Sequence, residues 1–373
     1  MQHGYTAPDF TAAPLRDAPD AVFAAAPADG VLPDNFFATS NLPTYVKIDG
    51  TWRLPRAPRM DGAIVQGAAG ALHISEGRYV RAGQHIAVGY AEDGSEGIYV
   101  NAHGFLDGSS AHGEFQFMSS NVSREKPVDY DTLAELLLAE RARGGHIVWV
   151  VGPAILHSRG RDVVTWFIQQ GFVGALLGGN AVAVHDIEQA LMGTTLGMNY
   201  AGAPVSGGHS FHMRAINRVA NAGSIRAAVD QGMLTEGIMH ACVTHNVPYV
   251  LAGSIRDDGP LTDTITDTVR AQELMREHAT RATMTIMIAT ALHSIAFGNM
   301  LPAFVVDDDE SLRPLTTIAV DTSEFVVNKL KDRGTHQAFG VITNAQDFLH
   351  VFRHFVELAG RPADAVSSSA ARP

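Results

Sequence analysis

Ile147-Val148-Trp149-Val150-Val151-Gly152-Pro153 sets five consecutive apolar residues against a glycine and a proline. A second run, Phe172 to Leu177, stops at Gly178-Gly179-Asn180; others lie at Tyr249 to Ala252, Thr283 to Ala289, Thr316 to Val320 and Ala338 to Ile342. Helical segments such as Arg161 to Gln170 separate them. A strand that is apolar at every position has no solvent face, so it belongs in a parallel sheet covered on both sides by crossover helices. The expected fold is α/β, a doubly wound and mostly parallel sheet over residues 129–358 with right-handed crossovers. Its first helix runs from Asp129 to Arg143, where Leu133, Leu136, Leu137 and Glu140 recur at helical spacing.

Working outward, the rhythm changes. Residues 32–128 hold short apolar runs (Thr44 to Ile48, Gly62 to Gln66, His85 to Tyr90, Gly97 to Val100, Glu114 to Met118) between turns such as Asp49-Gly50, Glu76-Gly77 and Asp93-Gly94. That spacing predicts a smaller β-rich N-terminal domain. Residues 1–31, rich in Ala, Pro and Asp, are expected to form a flexible arm, and 359–373 a disordered tail.

The chain has 373 residues, 27 Lys and Arg against 39 Asp and Glu, and a formal charge of −12. That balance argues against a nucleic-acid or acidic-membrane binder, because phosphate surfaces reward Lys and Arg. Cys242 is the one cysteine, so neither an intrachain disulfide nor a Cys-cluster zinc site is available; in its apolar helical stretch it reads as a small buried hydrophobe. Residues 282–306 carry no charge, yet His293, Ser294, Asn299 and Pro302 interrupt them and Asp307-Asp308-Asp309-Glu310 follows. They read as a buried strand and then a helix rather than a membrane span, and the protein as cytoplasmic.

Ligands of an open parallel sheet bind beyond the carboxyl ends of its strands. The residues there are Gly152 to Ala154, Gly178 to Ala181, Gly253 to Gly259, Thr290 to Ser294, Asp321-Thr322 and Thr343 to Ala345. Glycines let a ligand approach the backbone, helix N-termini offer free N–H groups to phosphate, and carboxylates accept from ribose hydroxyls. Six such turns at one edge point to a nucleotide or other small molecule, although neither a Gly-x-Gly-x-x-Gly nor a P-loop is present. His209 and His212, and His240 and His245, lack a spacing that defines a metal site, so no metal is expected; His209 and His212 are candidate substrate contacts.

Four stretches at these turns resemble a known family: Gly152 to His157, Gly179 to Glu188, Ala252 to Leu261 and Lys329 to Gly334. Thr39 to Val46, Met60-Asp61 and Phe117 to Ser120 extend the likeness upstream. The chain resembles the archaeal-type ornithine cyclodeaminases, of the family labelled after the bifunctional lysine-oxoglutarate reductase/saccharopine dehydrogenase (LOR/SDH). A related domain forms the C-terminal half of the cyanobacterial arginine dihydrolase/ornithine cyclodeaminase. The resemblance implies a deoxyhypusine-synthase-like NAD-binding domain, a tightly held NAD, a homo-oligomer, and conversion of L-ornithine to L-proline with loss of ammonia. It implies cofactor contacts at Asn180, Ala181, Asp258, Thr290, Ala291, Leu292, His293, Asp321, Asn344 and Ala345.

The implied chemistry oxidises Cα, lets the δ-amine close a five-membered ring at high effective molarity, expels ammonia, and reduces the cyclic imine. Asp257 or a nearby His such as His209 is the candidate base, and Lys329 or Arg256 the candidate holder of the substrate carboxylate. The chain departs from the family pattern at Gly62 (commonly Cys), Ser210 (usually Arg), Asn328 (usually Thr) and Asn344 (often Asp), and Asp307 to Pro314 has the look of an insertion. The alternative is therefore a homologue applying the same hydride-borrowing chemistry to a different amino acid or amine.

Overall fold

The computed structural model describes residues 4–105, 129–157, 159–199, 201–332 and 337–361. The expected strand Glu114 to Met118 and the motif Phe117 to Ser120 lie outside the described residues. Two compact units emerge. One holds the described residues up to 105 with Ala296–Thr316 and the described part of Asp332–Ala338; the other holds 129–295, Thr317–Lys331 and 339–361.

The first unit is antiparallel. Strands β1 (Val22–Ala25), β2 (Ala38–Thr39), β3 (Thr44–Ile48), β4 (Thr51–Arg53), β5 (Gly62–Gln66), β6 (Leu72–Ser75), β7 (His85–Val88) and β8 (Ile98–Val100) form two sheets. Their orders are β1-β7-β5-β2, with β6 also on β5, and β4-β3-β8. In β5 the period of two is plain: Ile64 packs with Phe37, Val46 and Ile98, while Ala63 and Val65 pack with Ala26, Val80 and Ile86. Asp49 and Gly50 both take positive φ (51° and 71°), the two-residue turn that matches the twist of the β3–β4 hairpin.

The expectation of a flexible arm over residues 1–31 is corrected here. Val22–Ala25 pairs with β7 along its whole length, Leu15 is buried, and the Lys47 ammonium donates to the carbonyls of Arg16 and Ala18 at 2.9 and 2.6 Å. The Ala- and Pro-rich composition hides this order because the partners of these residues lie tens of residues downstream.

In the second unit the strands are β9 (Ile147–Val151), β10 (Ala175–Gly179), β11 (Tyr249–Ala252), β12 (Thr264–Ile265) and β13 (Met284–Ile288). The hairpin β14 (Phe304–Val306) and β15 (Leu312–Pro314) comes next in the chain, then β16 (Thr316–Asp321) and β17 (Gln337–Ile342). The sheet order is β12-β11-β10-β9-β13-β16-β17, and the pairings β12–β11, β11–β10, β10–β9 and β9–β13 are parallel. All five residues of β9 are buried, so both faces of the sheet are covered.

The helices are α1 (Tyr130–Ala142), α2 (Ala154–His157), α3 (Arg161–Gln169), α4 (Asn180–Met192), α5 (Phe211–Ala222), α6 (Ile225–Asp230), α7 (Ile238–Thr244), α8 (Thr268–Ala279), α9 (Ala291–Met300), α10 (Glu324–Asp332) and α11 (Ala345–Ala359). The uncharged stretch 282–306 is thus β13 followed by the ten-residue α9. Among the described residues no helix is long and apolar enough to cross a membrane.

The expectation of one continuous domain over 129–358 also changes. Ala296–Thr316, hairpin included, belongs with the first unit, where the Met60 N–H donates to the Asn299 carbonyl and the Ala303 N–H to that of Asn41. These are backbone bonds over long sequence separations, and no residue pattern announces them.

Candidate active site

The strand exits of the parallel sheet share one edge. The Gly152 N–H donates to the Ile288 carbonyl at 2.9 Å, Ala289 to Val320 at 2.9 Å and Thr343 to Asp321 at 3.1 Å, while Gly179 is in register with Ala252. From β9 the chain moves outward through β10, β11 and β12, then returns to place β13 on the other side of β9. Neighbouring connections diverge there and leave a crevice beyond β9 and β13. A Cβ on Gly152 would lie 1.9 Å from the Ala289 carbonyl oxygen, so the two exits meet backbone to backbone. Ala289 itself takes φ +54°, a left-handed conformation that costs an L-residue about 1 kcal/mol.

Helix α4 opens at this edge on Gly179, which has no side chain to cap the first-turn N–H groups. Asn180 is buried, and its side chain is committed to the protein. Oδ1 accepts from the Leu261 N–H (3.1 Å) and the Thr264 hydroxyl (2.9 Å), and Nδ2 donates to Asp257 Oδ1 (3.2 Å). Asp257 Oδ2 accepts from the Ser254 N–H at 2.7 Å. Asn180 and Asp257 therefore pin the loop after β11, while Asp258 and Arg256 stay exposed and Ile255 is fully so.

After β13, the Thr290 hydroxyl lies 3.4 Å from His293 Nδ1, and the His293 ring sits where a Cβ of Gly179 would meet its Cε1 at 3.1 Å. Burial pushes the His293 pKa down, which keeps the imidazole neutral. Ala291 is half-buried and Leu292 is exposed. Asp321 Oδ1 accepts from the Ser323 N–H at 2.9 Å. Lys329 holds its ammonium 4.5 Å from the centre of the Phe325 ring, one turn nearer the start of α10. Asn344 caps α11, accepting from the Asp347 N–H at 2.9 Å, and Ala345 is buried behind it.

Asn180, Ala181, Asp257, Asp258, Arg256, Thr290 to His293, Asp321, Asn344 and Ala345 all lie in turns at the carboxyl ends of the sheet's strands or in the first turns of the helices that follow them. His209 is elsewhere. It is exposed in the turn before α5, in a segment anchored to the far part of α4: the Gly208 N–H donates to Val205, Val205 to Gly197, and Gly197 to Glu188. Glu188 lies about 12 Å down α4 from Asn180, at ~1.5 Å per residue. Cys242 is buried, and burial raises its thiol pKa, so it is no nucleophile.

One cluster escaped the sequence reading. The fully buried Glu188 accepts from His185 Nδ1 (3.0 Å), the Thr194 hydroxyl (2.9 Å) and the N–H groups of Leu196 and Gly197 (3.2 and 2.9 Å). Burial alone would raise its pKa, but the hydrogen bonds from His185, Gly197 and Thr194 outweigh burial and hold it below the usual value. The His157 ring stands edge-on to His185 at 5.1 Å. The available signal was the i,i+3 spacing of His185 and Glu188 on one helix face. Among the described residues, no group of three His, Cys, Asp or Glu is placed to hold a metal ion.

The family described as arginine dihydrolase ArgZ-like, C-terminal, Rossmann fold matches residues 131–352, and that of the ArgZ-like C-terminal first region matches 43–131. The ornithine cyclodeaminase of Methanopyrus kandleri is 45% identical over 332 residues, 87% of this chain and 75% of that protein. A crystal structure of a conserved LOR/SDH protein from Methanococcus maripaludis S2 superposes with a TM-score of 0.80 at 40% identity, covering 91% of this chain and 99% of that one. AgrE, the bifunctional arginine dihydrolase/ornithine cyclodeaminase of Nostoc sp., has been solved in ternary complex with ornithine and NAD+. It gives a TM-score of 0.58 at 36% identity, over 92% of this chain but 47% of its own length. By these matches the chain belongs to the ornithine cyclodeaminase family, the family that includes the C-terminal, Rossmann-fold region of ArgZ-like arginine dihydrolases.

Proposed function

We propose that the chain is an NAD-dependent ammonia-lyase that converts L-ornithine to L-proline with release of ammonia. The observation that carries this reading is the switch point, where Gly152 and Ala289 meet beside an α4 first turn that has no side-chain acceptor. Relatives named for the reaction support it.

The residues at the edge fit a dinucleotide. The first-turn N–H groups of α4, Ala181 included, suit a pyrophosphate. Exposed Asp258 and half-buried Asp321 present carboxylates to ribose hydroxyls. Thr290, Ala291, Leu292 and neutral His293 line the β13 side, and His293 adds no positive charge that would repel a cationic nicotinamide. Asn180 contributes indirectly by fixing the 253–264 loop, and Asn344 and Ala345 by fixing the start of α11. When bound, NAD supplies a hydride acceptor and, later, the same hydride as reductant.

The chain's own groups do the rest. Lys329 and Arg256 hold the substrate carboxylate. Asp257, its orientation fixed by Asn180 Nδ2 and the Ser254 N–H, takes an amine proton on a remaining lone pair. Leu292 and Ile255, both exposed, offer apolar surface that a bound substrate would cover. His209, anchored toward the far part of α4, has no part in this scheme.

The test is to release and identify the cofactor of the purified, denatured protein by mass spectrometry, then supply ornithine. NAD, and proline and ammonia in equal amounts, are expected; an active preparation of related enzyme beside an inert one of this protein, from neutral to alkaline pH, would sink the reading. The second reading is a homologue that applies the same chemistry to a different amino acid or amine, favoured by one observation. A Cβ at Gly62 would lie 2.7 Å from both Thr39 Oγ1 and Ile74 Cγ2, so the side chain that the family commonly carries there has no room.

A further inference from the structure

The hairpin β14–β15 and helix α5 are exposed features that the proposed chemistry leaves unused. Asp307 to Pro314, the stretch with the look of an insertion, supplies the hairpin's turn and its second strand. In the turn, Arg313 Nε donates to both oxygens of Asp307 (2.9 and 3.0 Å), and Glu310 pairs with Arg56 at 3.1 Å. Asp308 and Asp309 are exposed and form no ion pair among the described residues; Asp309 Oδ1 accepts from the Ser311 N–H at 3.0 Å. Beneath them Val306 and Leu312 stand opposite each other across the hairpin, both half-buried.

Helix α5 carries the opposite charge. No Asp or Glu stands between Glu188 and Asp230, in a chain whose formal charge is −12. Arg214 and Arg218, four apart and so on one face of the helix, are exposed. Neither forms an ion pair among the described residues; Arg214 Nε donates to the Ser210 hydroxyl at 3.1 Å. Met213 is exposed beside them. Exposed Leu196 and Met198 are close by, because Gly197 touches the start of α5: a Cβ on it would lie 2.4 Å from the Gly208 carbonyl carbon. Large apolar side chains in water beside two unpaired guanidinium groups mark a surface that a partner covers.

We propose that the partner is a second copy of this chain. The hairpin of one copy lies on α5 of the other, Asp308 and Asp309 against Arg214 and Arg218, Val306 and Leu312 against Met213, Leu196 and Met198. Complementarity of charge and of apolar surface together favours this occupant. Each chain carries both halves of the contact, so a two-fold pair makes it twice. The assignment is independent of the cyclodeaminase reading.

Sedimentation velocity of the full chain tests it with two charge-exchanged variants. Arg214→Glu/Arg218→Glu makes the face acidic. Asp308→Lys/Asp309→Asn makes the hairpin basic while keeping an acceptor for the Ser311 N–H. Each variant alone sets like charges together, so its dimer should dissociate about a hundredfold more readily than that of the wild type. Mixed in equal amounts, the two variants should regain a dimer of near wild-type affinity, because each then meets the opposite charge at both contacts. Raising the salt should weaken the wild-type and mixed dimers to the same degree. Melting temperatures establish that the variants fold; if either double variant does not, the single pair Arg218→Glu and Asp308→Lys takes its place. A monomeric wild type, an assembly of any size that neither variant weakens, or a mixture that stays monomeric overturns the contact.

Discussion

The carbonyl oxygen of Ala289 occupies the space in which any side chain at Gly152 would have to begin, 1.9 Å from its Cβ position. The two strands that flank the switch point thus leave the sheet in direct backbone contact, and the crevice has a floor made of main chain.

Gly152→Ala is expected to force the β9 and β13 exits apart. The cost should be roughly 3 kcal/mol, the upper part of the overpacking range, because the obstacle is backbone rather than a flexible side chain. Differential scanning calorimetry and the quantity of NAD carried through purification should both fall; a protein with native stability and a full complement of NAD would contradict the contact.

At Ala289 the constraint is conformational. Gly is expected to be tolerated at φ +54°, with stability within about 1 kcal/mol of the native protein. Val, β-branched and excluded from that region, should be destabilising by about 2 kcal/mol. Urea denaturation of the two variants checks the order, and equal midpoints would refute it.

Asn180→Ala removes the acceptor used by Leu261 and Thr264 and the donor to Asp257. Leaving these groups unpaired should lower stability by about 1–3 kcal/mol and loosen the 253–264 loop. Limited proteolysis should then cut within that loop faster than in the native protein, with no change elsewhere in the second unit. Unaltered cleavage would show that the loop is held by other means.

Acid sensitivity should trace in part to His146 and His278, whose rings stack with Nε2 and Nδ1 3.1 Å apart. Burial first, then the positive charge of His278 and Arg281, brings the His146 pKa down to about 4, and burial lowers that of His278 as well. The unfolded chain, with ordinary values near ~6.5, binds protons more readily than the native state. Stability is therefore fully present above that value and declines as pH falls toward the folded pKa. A melting temperature followed against pH should show this loss, and His146→Gln should flatten it; an equal slope in both proteins would clear the pair of responsibility.

Lys329→Met tests the placement of the substrate carboxylate. If the ammonium beside Phe325 holds it, KM for ornithine should rise about tenfold, with bound NAD and stability unchanged. An unchanged KM would take Lys329 out of the carboxylate site.

Much of this molecule is written locally. The all-apolar runs at 147–151 and 316–320 could be solvated on neither face, and Asp49-Gly50 could hardly be anything but a tight hairpin turn, so the parallel sheet, the β-rich unit and the residues at the carboxyl edge are readable from the chain alone. The family resemblance was likewise legible in the runs 179–188 and 252–261. Tertiary structure decided the rest, because it concerns pairings between residues remote in sequence. Only folding brings β1 onto β7, carries 296–316 back to the first unit, and turns Asn180 and Asp257 toward each other across 77 residues. The clasp of Glu188 on Thr194, Leu196 and Gly197 belongs to the same class. A glutamate on a helix is ordinary in sequence, and it acquires meaning only when packing removes water from its carboxylate and hydrogen bonds from remote groups take water's place.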